Sequence, residues 1–438
     1  MILHSEDRIA ILHKALNEVR ANSGLIPTES FYDSKTEAVW NRARRGTAYA
    51  DIGPWSPTAF RELPVTPRAA LKQDPLRYAT VRPGGAAKYY ETTGTTGTPT
   101  PTPRLAEDMI WNTVSVAEAW RPLLTGDDSE RVAVLLPSDI VPVADLVCGV
   151  CEYLDLSHIR AYPFASGISD WERLEAMWRV FRPTSVFLAP GVALQFTRLL
   201  AQRGRLAELS ASVRRLMLLG EVNTAPFRDR LGHWWGAVAY DASYGSTETG
   251  TLAATCDRGS QHLLPAATRF ELCAGDTVVP LDTAGGGRLV VTPLNAHARP
   301  LLRLDTGDEV SLHADCPCGR GTPVVTVHGR ASDGLSVRGV PLQVRSVEEV
   351  VYGVTDATGY LMEVDEAGDY ARLVLERGVG WDRAAEPEVR QRVQRTSGER
   401  LGLEWDKVLF VNSLPATTKS GASQKSWKRS NVRVLEAV

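Results

Sequence analysis

Between residues 105 and 245 two kinds of segment alternate, and this alternation restricts the fold more than any other feature of the chain. Arg131–Pro137, Ser185–Leu188 and Arg214–Leu219 are apolar runs that read as buried strands. Longer helical patterns separate them: Asp108–Leu123, with Trp111 and Trp120 on one apolar stripe, Asp145–Leu154, Trp171–Phe181 and Val192–Arg203. Strand and helix in this order imply parallel strands joined by helical crossovers.

The texture changes on either side. Residues 1–50 read as helices, and residues 51–104, rich in Pro, Gly and Thr, as loops with short strands. Phe270–Leu281, Gly287–Thr292, Glu309–Leu312 and Pro323–Val327 read as antiparallel strands and turns. Beyond Gly329-Arg330, Val344–Val354 and Pro387–Gly402 read as helices, and Ala371–Glu376 and Val408–Val411 as strands. The predicted architecture is a large N-terminal α/β domain with a mixed antiparallel β portion over 1–330, a hinge at 331–333, and a small α+β C-terminal lid over 334–438. A length of 438 residues suits two or three domains rather than one.

Composition removes several classes. With 43% hydrophobic and 23% charged residues, the chain has the profile of a soluble globular protein. A net charge of −3 without a basic block argues against nucleic acid as a partner. No stretch is apolar enough to span a membrane, and His4, Glu6, Asp7 and Arg8 do not make a signal peptide, so a cytoplasmic location is predicted. In that compartment the Cys316-Pro317-Cys318 and Cys148/Cys151 groupings suggest metal or packing before disulfides. Lysine is scarce, with none between Lys88 and Lys407, yet Lys419, Lys425 and Lys428 crowd into the tail.

Three motifs carry chemistry. In Tyr90-Glu91-Thr92-Thr93-Gly94-Thr95-Thr96-Gly97-Thr98-Pro99-Thr100, glycines let the backbone approach phosphate oxygens, and threonine hydroxyls add donors. No Gly-Lys-Ser/Thr follows, which excludes a Walker loop and speaks against a P-loop kinase or ATPase. In Tyr240-Asp241-Ala242-Ser243-Tyr244-Gly245-Ser246-Thr247-Glu248, a carboxylate at a strand end can hold Mg²⁺, and an aromatic beside glycine can flank a purine. In Arg303-Leu304-Asp305-Thr306-Gly307-Asp308, an aspartate read as sitting on a turn can accept from ribose hydroxyls, and Arg330 of His328-Gly329-Arg330 can reach ribose or phosphate. Taken singly, each has a plainer reading: a flexible linker, Tyr-Gly at a strand end, a turn-forming aspartate.

Together, in this order, they resemble the adenylate-forming superfamily of acyl-CoA synthetases, peptide-synthetase adenylation domains and luciferases. The phenylacetate-CoA ligase-like branch is the most similar, on Thr92–Thr100, Tyr244–Glu248, Arg299–Asp308, Cys316–Arg320 and Gly329–Gly339. The resemblance implies a ligase that makes an acyl-AMP from a carboxylic acid and ATP, releases pyrophosphate, and passes the acyl group to CoA, a carrier-protein thiol or an amine. Domain alternation about the hinge, with the site in the cleft beneath the lid, is part of what it implies. An aryl acid is the expected substrate, as in secondary metabolism; a homodimer is left open.

By resemblance the nucleotide site comprises Thr92, Thr93, Gly94, Thr95, Thr96, Gly97, Gly220, Glu221, Ser243, Tyr244, Gly245, Asp308, Arg320 and Arg330. Thr247 and Glu248 are the expected catalytic residues, with Glu248 holding Mg²⁺, and Tyr162, Phe164, Tyr240 and Ala242 are the candidate substrate walls. Cys256, His262, Cys316 and Cys318 make a Cys₃His set, which similar enzymes also carry and which suits structural zinc. Three positions depart from the branch: Thr98 stands for a loop lysine, Ser332 for a hinge aspartate, and Ala422 for the catalytic lysine. Ala422 fits a lysine-to-alanine change best, because the flanking motif is intact. Transfer of the role to Lys419 or Lys425, or a non-catalytic binding member of the fold, are the other readings.

Overall fold

Helix starts follow the capping residues in the sequence. In the computed structural model, which describes residues 5–92, 99–126, 129–165, 167–275, 277–281, 285–330, 335–378, 380–415 and 431–435, Ser5 caps α1 (Glu6–Ala21) and Thr28 caps α2 (Glu29–Ala43). Two short helices, α3 (Pro57–Glu62) and α4 (Arg68–Gln73), occupy a stretch expected to be loops and strands. Each is too short to stand alone and is held by one buried anchor, Phe60 or Leu71, so periodicity does not reveal it. The hairpin of β1 (Lys88–Glu91) and β2 (Pro101–Arg104) brackets the phosphate-loop motif, and α5 (Ala106–Leu124) follows.

The crossover region contains β3 (Arg131–Leu135), α6 (Val143–Tyr153), β4 (Ser157–Arg160), α7 (Trp171–Phe181), β5 (Ser185–Leu188), α8 (Pro190–Gln202), α9 (Leu206–Ser210), β6 (Arg215–Leu218), α10 (Ala225–Trp235) and β7 (Val238–Asp241). Its five-stranded sheet runs β4-β3-β5-β6-β7, and β3, β5, β6 and β7 pair in parallel. The predicted parallel sheet is therefore present.

The antiparallel region contains β8 (Ser243–Ser246), β9 (Gly250–Thr255), β10 (Gln261–Leu263), β11 (Thr268–Ala274), β12 (Thr277–Pro280), β13 (Gly285–Pro293), β14 (Leu304–His313) and β15 (Val324–Arg330). They form one eight-stranded sheet in the order β12-β11-β13-β14-β15-β10-β9-β8. One expectation fails here: Asp308 does not sit on a connecting turn but inside β14. Arg288 pairs with Glu309 and Val290 with Asp305, so Leu289 faces three residues, Thr306, Gly307 and Asp308. This is a β-bulge, which re-aims a side chain without ending the strand. Gly307 supplies the positive φ of 74° that it needs.

The last region contains the hairpin β16 (Leu335–Val337) and β17 (Val340–Leu342), then α11 (Val344–Val354), β18 (Gly359–Asp365), β19 (Ala371–Glu376), α12 (Glu386–Leu401), β20 (Lys407–Val411) and β21 (Val432–Leu435). Its four-stranded sheet, β20-β19-β18-β21, is mixed: β18 and β19 are antiparallel, and the outer pairs are parallel.

Packing divides the chain into two units, 1–130 with 137–158 and 242–328, and 131–136 with 159–241 and 329–438. This division is discontinuous along the chain, whereas the boundaries read from sequence are continuous. The first unit has a core of Trp40, Phe60, Leu252, Phe270, Val291 and Leu304. In the second, Trp178, Phe196, Phe227 and Trp235 share one core with Val347, Tyr352, Tyr360 and Leu373. The expected hinge, 331–333, lies outside the described residues. Among the described residues no helix is long and apolar enough to cross a membrane.

Candidate functional site

Tyr244 and Asp308 were singled out in different motifs, and the structure joins them. The Tyr244 hydroxyl donates to Asp308 Oδ2 at 2.6 Å. β8 and β14 are four strand steps apart in sheet order, roughly 19 Å in a flat sheet at about 4.8 Å per step. No tyrosine spans that, so the sheet must curl to bring the motifs together. The bulge completes the aim: the Gly307 N–H donates to Asp305 Oδ1 at 2.8 Å and the Asp308 N–H to Thr306 Oγ1 at 3.1 Å.

Glu248 lies on the turn after β8 and is 6% exposed. Arg104 Nη2 donates to the carbonyls of Thr247 at 2.8 Å and Glu248 at 3.4 Å, fixing the turn from β2. Arg68 Nη2 is 3.6 Å from Glu248 Oε1, and Arg68 Nη1 donates to the Thr306 carbonyl at 3.1 Å. Arg68 thus ties the Glu248 turn to the bulge. Arg299 donates to the Pro101 carbonyl at 2.6 Å and to Thr102 Oγ1 at 2.9 Å, holding β2 just after the threonine- and glycine-rich motif. Burial, reinforced by Arg104, lowers the Arg299 pKa to about 10. The sequence reading missed Arg68, Arg104 and Arg299 as site residues. Its only local signal for Arg68 was Pro67-Arg68, which reads merely as a helix start.

Of the residues expected at the phosphates, Thr92 is described, and its hydroxyl accepts from the Thr100 N–H at 3.0 Å. Thr93, Gly94, Thr95, Thr96 and Gly97 lie outside the described residues, as does Ala422. Ser243 and Gly245 lie on β8. Gly245 has a local reason to be glycine, because a Cβ there would sit 2.3 Å from the Gly250 carbonyl oxygen. Arg320 is placed elsewhere: it donates to the Ala119 carbonyl on α5 at 2.9 Å and lines a small cavity with His262 and Thr322. Ala242 is fully buried, its carbonyl accepting from the Trp120 indole at 3.1 Å.

The remaining candidate residues belong to the second unit. Gly220, with φ 87°, and Glu221 follow β6; Tyr240 is on β7; Arg330 ends β15. Tyr162 and Phe164 stack edge to face at 5.4 Å, and Phe164 meets Trp171 at 5.6 Å, so both side chains join an aromatic cluster.

The Cys₃His set assembles as the sequence suggested. The donor atoms of Cys256, His262, Cys316 and Cys318 all lie within 4.8 Å of one another. Cys256 Sγ and Cys316 Sγ are 3.8 Å apart, close to the edge of a tetrahedron with metal–sulfur bonds of about 2.3 Å. Cys318 Sγ is 3.2 Å from His262 Nε2, while His262 Nδ1 is 2.8 Å from the Thr322 carbonyl. A proton on Nδ1 donated to that carbonyl leaves Nε2 free to ligate. The donor set fits a closed four-coordinate metal.

With this geometry, comparison with known proteins is informative. No family model matches the chain. Over 223 residues it is 29% identical to the phenylacetate-coenzyme A ligase of Thermus thermophilus, covering 49% of each protein, so the chain spans about half the length of that curated relative. Among solved structures it is similar to 2-hydroxyisobutyryl-CoA ligase in the postadenylation state with R3-HIB-AMP. The TM-score is 0.75 at 18% identity, over 98% of this chain and 90% of that one. The chain therefore has the fold of that CoA ligase. A further structure with this fold is the acyl acid amido synthetase AtGH3.15 in complex with 2,4-DB. It gives a TM-score of 0.65 at 13% identity, over 93% of this chain and 90% of that one. In this chain, the curled antiparallel sheet with its bulge is what sets Asp308 against Tyr244.

Proposed function

We propose that the chain activates a carboxylic acid with ATP. The acid carboxylate attacks the α-phosphorus, an oxygen–phosphorus bond forms, the α–β bridging bond breaks, and pyrophosphate leaves. The sulfur of the CoA thiol then attacks the acyl carbon of the acyl-AMP, a carbon–sulfur bond forms, the carbon–oxygen bond to the phosphate breaks, and AMP departs as the thiol proton is released to solvent. The observation that carries this reading is the convergence of two signature motifs in one unit, with Tyr244 bonded to Asp308 at 2.6 Å and Arg68 bridging Glu248 and the bulge. Asp308 Oδ1 and Oδ2 accept from the ribose hydroxyls. Glu248 would hold Mg²⁺, which supplies charge neutralisation at the phosphates when bound; Arg68 faces that carboxylate, and Arg104 holds the backbone of its turn.

The acid is an aryl carboxylate, supported by similarity to a phenylacetate-coenzyme A ligase. ATP–pyrophosphate exchange over aryl and alkyl acids tests the first half-reaction. Offering CoA, an amine and a carrier-protein thiol in turn tests the second. Transfer only to an amine or only to a carrier protein would remove CoA from the account. We also propose that Cys256, His262, Cys316 and Cys318 hold a structural zinc, supported by their donor geometry. Elemental analysis of the protein purified without chelator should give about one zinc per chain, coupled to folding. Metal-free protein of unchanged melting temperature would exclude it.

A further inference from the structure

α10 begins without the means to cap itself. Thr224 holds its N-cap position, but the threonine hydroxyl makes no capping bond and is buried without a hydrogen-bond partner. A capping box requires Glu or Gln at the third helical position to accept from the N-cap N–H. That position is Phe227, whose ring is fully buried in the core of the second unit. The Thr224 N–H is taken instead by Glu348 Oε1 at 2.9 Å, from α11 and 124 residues along the chain. Glu348 and Thr224 are fully buried. The carboxylate also lies at the positive end of α10, where a negative charge is favoured.

The neighbouring residue is fixed as firmly. Asn223, 1% exposed, donates through Nδ2 to Asp241 Oδ1 at 3.0 Å and to the Glu221 carbonyl at 3.3 Å. Arg228 Nη1 donates to the Asn223 carbonyl at 2.8 Å and to Asn223 Oδ1 at 3.0 Å. α11 is docked against α10 by the Phe227 and Tyr352 rings, 5.1 Å apart, and by Arg230, which donates to the Thr355 carbonyl at 2.5 Å and to Asp356 Oδ1 at 2.8 Å. The contact of Glu348 with Thr224 is therefore part of a packed seam, not a chance surface contact.

We infer that Glu348 is a positioning residue for the Gly220–Glu221 segment: it supplies from α11 the acceptor that the local capping sequence lacks, and so sets the conformation of residues 220–224. The inference rests on the proposed reading of Gly220 and Glu221 as nucleotide contacts. Its consequence is that ATP affinity depends on the docking of α11, although Glu348 itself touches no substrate.

The test uses the full chain with Glu348→Gln and Glu348→Ala, reading amide hydrogen exchange over 220–228 and the ATP dissociation constant. Asp308→Ala serves as an independent probe of the nucleotide site. Exchange at 220–224 should quicken and ATP binding weaken in the order Glu, Gln, Ala, by about fivefold for alanine, the size of a lost cap. Glutamine keeps an acceptor oxygen but not the charge, so about twofold is expected. Faster exchange with unchanged ATP affinity, while Asp308→Ala weakens ATP, overturns the link to the nucleotide. Unchanged exchange in folded Glu348→Ala, or in Glu348→Gln should alanine not fold, overturns the positioning role. ATP affinity unmoved by Asp308→Ala as well places the fault in the nucleotide reading itself.

Discussion

Glu271 and Asp241 are carboxylates beside signature motifs, one in each unit, and the fold treats them differently. Glu271 on β11 is 6% exposed and faces Arg303 side by side, with Nε to Oε2 and Nη2 to Oε1 both at 3.0 Å. Arg303 also donates to the carbonyls of Arg61 at 2.8 Å and Leu63 at 2.5 Å. Such a fork fixes orientation as well as charge. Asp241, at the end of β7, accepts from the Asn223 amide, and Arg228 attracts it without compensating its enclosure, so its pKa is pushed up to about 6. The contrast separates two uses of a carboxylate, one buried and one partly buried. Arg303, in the most conspicuous motif of the chain, is spent on the framework that starts β14. Asp241, in a motif read for its neighbours, is a titratable anchor of the 220–224 loop.

The largest expected effect breaks the first half of this comparison. Glu271→Ala leaves the Arg303 guanidinium buried without its counter-charge and should lower unfolding free energy by about 3–5 kcal/mol. Denaturant unfolding measures it, and a loss below about 1 kcal/mol would mean that the fork carries no framework.

A smaller, pH-dependent effect sharpens the second half. The folded pKa of Asp241 lies above the ordinary 3.8, so the native state holds this proton more tightly than the unfolded chain. The stability this lends is complete below about pH 4 and is lost as pH rises through about 6. Asn at this position carries no such proton. Asp241→Asn should therefore gain about 2–3 kcal/mol on the parent chain between pH 4 and 7, two units at about 1.4 kcal/mol each. Melting temperatures of both chains across that range decide it; a constant difference would show that Asp241 does not titrate as its surroundings imply.

Much of the fold was legible. Trp171–Phe181, Ser185–Leu188, Val344–Val354 and Ala371–Glu376 are elements with the ends the pattern indicates. The Asp170 cap and the apolar spacing that follows it show why α7 was legible. Thr306-Gly307-Asp308 was misread because a turn and a bulge use the same local chemistry, and only the pairing with β13 distinguishes them. The site divides in the same way. Tyr244, Glu248 and Asp308 announce themselves in short motifs. Arg104 and Glu348 do not, and Arg299, which opens the Arg299–Asp308 motif, does not show there what it holds, because each acts across more than 120 residues of chain, on Thr247, Thr224 and Pro101. Nothing within a few residues of them signals a partner.

The central claim is adenylation, and ATP–pyrophosphate exchange measures it directly. The chain should be assayed as it stands and with Ala422→Lys, against phenylacetate, substituted benzoates and a long-chain fatty acid. The motif resemblance implies that a lysine at this position meets the charge gathering between carboxylate and α-phosphate, a contact worth at least about tenfold in rate. The account predicts acid-dependent exchange in the lysine chain, fastest with an aryl acid and at least about tenfold above the parent. Release of orthophosphate without exchange, whichever acid is supplied and with lysine in place, would contradict it.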